Sequence, residues 1–189
     1  MPRRFLTDPS VDRNIAEWKA RVEDQTGRPF GLQGQAASAA EEVLELLVAA
    51  DEEHPDASFF LDAIGGSYVA STVLAGVVMR RLVKEGVPCG GPFRGVVDPL
   101  YDERFHRFAL SCVGLVRRGP EAWAEARGSE AWPMFLEETA HVRATLVHMM
   151  EEECAGGFQQ VMSGVLDQMD RRLQAGYRKD AEGSAPKRG

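Results

Sequence analysis

The chain has 189 residues, 44% hydrophobic and 27% charged, which is enough to bury a core without cross-links and excludes a largely disordered chain. Its net charge is −7 and its basic residues are scattered, mostly as pairs such as Arg80-Arg81 and Arg117-Arg118; this disfavours a nucleic-acid partner but not a small anionic ligand. Cys89, Cys112 and Cys154 form no zinc or CxxC pattern, and no apolar run follows Met1-Pro2-Arg3-Arg4-Phe5, so a reducing, cytoplasmic setting without a signal peptide is expected.

Residues 1–11 read as an extended arm. The spacing of Ile15, Trp18 and Val22 predicts a first helix from Asp12 to about Gln25, stopped by Thr26-Gly27-Arg28-Pro29. A connector, Phe30 to Gln35, leads to a second helix, about Ala36 to Glu53. Its expected buried stripe is Ala36, Ala40, Val43, Leu44 and Leu47. Glu41, Glu45 and Glu52 fall on another face, with Glu42 between.

A third helix is predicted from about Phe59 to Glu85. Its stretch from Ala63 to Met79 carries no charge. That stretch is shorter than the roughly 20 apolar residues of a membrane span and is broken by Gly65, Gly66 and Gly76. It reads as the central helix of a bundle, with Gly65, Ala70 and Gly76 allowing close helix approach. A Gly/Pro-rich loop, residues 86–98, follows; it is either functional or a plain crossover.

Asp98-Pro99 predicts the start of a fourth helix reaching about Arg117. A short helical piece near Glu121 to Ala126 is flanked by Trp123 and Trp132, which should pack it onto the bundle. The fifth long helix runs from about Glu130 to Cys154 and the sixth from Phe158 to Tyr177. Residues 178–189 read as a disordered tail. No strand alternation is present. The expected architecture is an all-α bundle of about six helices in a single domain, residues 12–177.

Two constellations carry chemistry. Glu41-Glu42-Val43-Leu44-Glu45 places acids three and four apart, and such pairs share a helix face able to hold a hard divalent cation such as Mg²⁺ or Mn²⁺. The alternative is a solvated helix face. Asp62 is the last acid before the uncharged run and could join the cation if the second and third helices pack antiparallel with an offset.

With Trp18, Phe30 and Gln33 before it, this EExxE resembles the opening of the MazG-like all-α nucleotide pyrophosphohydrolases, over residues 12–85. The resemblance implies Mg²⁺-dependent hydrolysis of a nucleoside triphosphate to monophosphate and pyrophosphate, in a homodimer. Glu41, Glu42, Glu45 and Asp62 would be the catalytic acids, with Glu42, Glu45 and Asp62 on the metal. The family's second motif is ExxD, and here it reads Asp62-Ala63-Ile64-Gly65, with glycine at the second acid.

The second constellation is a pair of ExxH turns, Glu103/His106 and Glu138/His141, extended along one helix by His148 and Glu152. A carboxylate and an imidazole one turn apart is the ligand arrangement of ferritin-like bundles and suits Fe or Zn. The alternatives are boundary histidines paired with neighbouring carboxylates, or a non-catalytic helical assembly protein whose acids are all surface.

Overall fold

The computed structural model describes residues 9–51, 57–87, 95, 97 and 101–175. All its regular structure is helical: α1 (Pro9–Thr26), α2 (Leu32–Asp51), α3 (Ala57–Glu85), α4 (Tyr101–Arg118), α5 (Pro120–Glu125), α6 (Ala131–Glu153) and α7 (Gly157–Gln174). The short α5 makes the seventh helix. It begins with Pro120 at its first turn, where a missing N–H costs nothing. Trp123 on α5 meets Trp132 and Phe135 of α6 at ring separations of 5.0 and 5.4 Å and anchors this turn to the bundle.

The expected arm is shorter than the sequence suggested. Residues 9–11 belong to α1, and Val11 is buried with Ile15, Trp18 and Val22. The tail expected to be disordered, Cys89 and most of the 86–98 loop lie outside the described residues. Gly95, one residue of that loop that is described, sits so close to Ala140 and Ala144 of α6 that a side chain would overlap them.

α3 is the hub. It packs against α1, α2, α6 and α7, while α2 also lies along α4, and α4 along α6. Ser58–Glu85 is long and apolar enough to cross a bilayer, with a mean hydropathy of 1.4, and 61% of that window is buried against neighbouring helices. Burial of apolar stripes at 3.6-residue spacing drives this packing. Phe135, Val142, Leu146 and Met149 of α6 supply one such stripe, and Phe158, Val161, Met162 and Met169 of α7 another. Cys112 and Cys154 are buried apolar fillers.

The stripe of α2 departs from expectation. Ala36, Ala39, Ala40, Val43, Leu46 and Ala49 are buried, whereas Leu44 is 42% exposed and Leu47 only half-buried. The stripe follows the 36–39–43–46 row, and Leu44 and Val48 turn toward a groove beside Val113 of α4. Gly76 is likewise not a contact point: it faces open space.

One polar network ties three helices. Arg143 of α6 donates to both carboxylate oxygens of Asp12 on α1 at 2.6 Å and to the Tyr68 hydroxyl of α3 at 3.1 Å. The Tyr68 hydroxyl donates to Asp12 at 2.9 Å. Burial is the largest influence on Tyr68 and raises its phenol above its usual range.

Candidate functional site

α3 presents glycine at two adjacent positions, and each admits a different neighbouring helix. The Glu42 carboxylate rests on Gly66, where any Cβ would overlap it, and the buried Ser67 hydroxyl donates to the Glu42 carbonyl at 3.0 Å. Gly65 is occupied differently: a side chain there would collide with Val165 of α7. The position at which the MazG-like motif carries its second acid is therefore filled by a neighbouring helix.

Glu42 and Asp62 line one cavity of about 130 Å³ between α1, α2, α3 and α7. Trp18 and Phe30 form its apolar wall, with Gln35, Ser38, Gln168 and Arg172 as further polar lining. The two rings meet at 6.1 Å. Their position depends on Glu23. The Phe30 N–H donates to the Glu23 carboxylate at 2.8 Å, Lys19 donates at 2.8 Å, and Arg80 approaches from α3 at 3.3 Å. Burial works to raise the Glu23 carboxyl, but these donors outweigh it and hold it at about 2.

Glu41 and Glu45 do not join this cavity. They flank the groove formed by Leu44, Val48 and Val113 on the α2–α4 side. At about 100° of rotation per residue, Glu45 lies between Glu41 and Glu42 on the helix wheel and nearer Glu41, so the two turn together to the α4 side. Of the four acids expected at the site, two are brought together.

The carboxylate–histidine set is dispersed. Glu103 is 70% exposed and pairs with Arg107 at 2.9 Å. His106 places Nδ1 at 2.8 Å from the Asp102 carbonyl and faces the groove beside Leu47 and Val48. Glu138 and His141 face a separate cleft between α4, α5 and α6. His148 lies 4.0 Å from Glu152, further along α6. The two ExxH turns thus look in different directions, and a shared Fe or Zn centre does not assemble from them. Among the described residues no three His, Cys, Asp or Glu side chains form a metal-ligand group.

Glu138 stands apart from these acids. It is half-buried, and burial raises its carboxyl above the usual range, opposed by a hydrogen bond from Ser111 and by Arg107, Arg104 and Arg127.

Arg172, Gln35, Ser38 and Gln168 were not among the residues singled out by sequence. Arg172 belongs to the Arg171-Arg172 pair, and only the packing of α7 on α3 brings it to the cavity of Glu42. Compared with protein-family models, characterised proteins and solved structures, the chain finds no match.

Proposed function

We propose that the chain is a divergent MazG-like nucleoside triphosphate pyrophosphohydrolase with a reduced set of acidic ligands. The observation that carries this reading is the convergence of Glu42 and Asp62, from two different helices, on one cavity that also includes Arg172. Two carboxylates fit Mg²⁺ or Mn²⁺, which are commonly held by one or two carboxylates together with substrate phosphates. Such a cation, when bound, neutralises phosphate charge.

The chain's own groups then divide the work. Glu42 and Asp62 would hold the cation. Arg172 supplies a forked donor to phosphate oxygens. Trp18 and Phe30 close the apolar side and limit water. At about 130 Å³ the cavity accepts a phosphate group and its cation, so the nucleoside lies over the rim near Gln168 and Arg172. The net reaction adds water across the α–β phosphoanhydride, giving monophosphate and pyrophosphate.

The same reading includes a homodimer. The groove of Leu44, Val48 and Val113, apolar and flanked by Glu41 and Glu45, is the face proposed for the second copy.

The test is Mg²⁺-dependent release of pyrophosphate across a panel of nucleoside triphosphates, with Glu42→Gln and Asp62→Asn as variants. Activity lost in both variants supports the reading. No release from any triphosphate, or full activity in Glu42→Gln, overturns it.

A further inference from the structure

A second cleft, of about 550 Å³, opens between α4, α5 and α6 and shares no lining residue with the cavity of Glu42. Its size falls in the range of small-molecule sites. Arg104, Arg107 and Ser111 line it from α4, spaced to share one helix face, and Arg127 faces them from the end of α5. Arg127 lies 4.3 Å from the ring centre of Trp123, a stacking that holds its guanidinium over the cleft. Met134, 64% exposed, supplies the apolar surface of the cleft on α6, while Phe135 behind it belongs to the core.

We infer that this cleft binds a small amphipathic anion, its oxyanion head held by Arg104, Arg107 and Arg127 and its apolar body laid against Met134. Three guanidiniums around one opening on a chain of net charge −7 concentrate positive charge where an oxyanion can accept forked hydrogen bonds. Arg107 also donates one Nη to Glu103 at 2.9 Å, a contact that takes up only part of its guanidinium. Glu138, half-buried and hydrogen-bonded by Ser111, and Glu137 are the carboxylates of the lining, and the head sits on the arginine side, away from them. Glu137 and His141 stand at the rim and face each other at 3.8 Å.

The head group is a phosphate or a carboxylate, and the probes separate the two. Phenyl phosphate, benzoate and inorganic phosphate are titrated calorimetrically into the full chain at low ionic strength. Saturable one-to-one binding of either aromatic anion, tighter than inorganic phosphate, is expected; the tighter of the two identifies the head. Arg127→Gln and Arg104→Gln should each weaken it by about tenfold or more. Arg127 is exposed, so its replacement leaves the fold intact. Arg117→Gln, exposed on the same α4, should leave binding unchanged. No saturable binding of either aromatic anion, or equal binding in Arg127→Gln, Arg104→Gln and Arg117→Gln, overturns the inference.

Discussion

The Glu42 carboxylate lies over the Cα of Gly66, so the length of one methyl group separates a helix–helix contact from a displaced acid. Gly66→Ala therefore tests the site without emptying the core. The atoms in the way belong to the end of a flexible side chain, which can swing aside. Alanine in a helix interior also gains up to about 1 kcal/mol over glycine. The expected outcome is an unchanged or higher melting temperature with at least a tenfold fall in Mg²⁺-dependent pyrophosphate release. Unchanged release with Glu42 displaced would remove Glu42 from the site.

The adjacent glycine behaves in the opposite way. Restoring the acid that the MazG-like motif carries, as Gly65→Asp, drives a carboxylate into Val165 of α7. Overpacking and burial of an unpaired charge together should cost roughly 3 kcal/mol or more. The double variant Gly65→Asp with Val165→Ala relieves the collision, and part of the stability should return. Urea unfolding of the three proteins measures this. A stable Gly65→Asp single variant would show that α7 does not fill the position.

These two glycines mark what could and could not be read from sequence. The helices follow from periodicity, because Ile15, Trp18 and Val22, or Phe135, Val142 and Leu146, repeat at a spacing that buries one face. Leu44 lies outside the core because α2 has two apolar faces, and periodicity alone does not say which one meets it. Glu42 and Asp62 are separated by a helix turn-around, so their convergence depends on the offset of α2 against α3. Arg104, Arg107 and Ser111 do sit at helical spacing, but charges on a helix face usually mean solvent. Only Arg127, brought in by α5, turns that face into a cleft.

Glu23 makes a pH prediction. Its carboxyl is held at about 2 by Lys19, Arg80 and the Phe30 N–H, below the ordinary glutamate value. A carboxyl depressed in the folded state contributes stability that is complete above its unfolded value, near pH 4–5, and lost as pH falls toward 2. With solvent screening the contribution is about 1–2 kcal/mol. Glu23→Gln should therefore destabilise the protein at pH 7 and cost much less near pH 2. Urea midpoints at both pH values check it. An equal loss at the two pH values would mean that shape, not charge, holds Phe30.

The proposed dimer face is tested by Val48→Lys. Val48 is 59% exposed, so the substitution should change monomer stability by no more than about 0.5 kcal/mol. In a dimer closed by Leu44, Val48 and Val113, it places a charge in an apolar contact. Light scattering coupled to size exclusion should then give a dimer mass for the parent and a monomer mass for the variant. A monomeric parent, or a variant that stays dimeric, removes this groove from the interface.

Arg143 is the sharpest point at which the fold depends on residues far apart in the chain. Its partners Asp12 and Tyr68 lie 131 and 75 residues away, on α1 and α3. Nothing in local spacing links them; the bundle creates the contact. Arg143 is 15% exposed at its side chain, so removing its counter-charge leaves a cation with little water to replace it. Asp12→Ala should cost about 3 kcal/mol or more, because breaking a buried pair is far more damaging than replacing it whole. Tyr68→Phe should cost only about 1 kcal/mol, since it removes one hydrogen bond and keeps the ring under the Arg143 guanidinium, 5.1 Å away. Pairing Asp12→Ala with Arg143→Met should recover much of the loss by removing the stranded charge. A double variant no more stable than Asp12→Ala alone would show that the network acts through packing and not through charge.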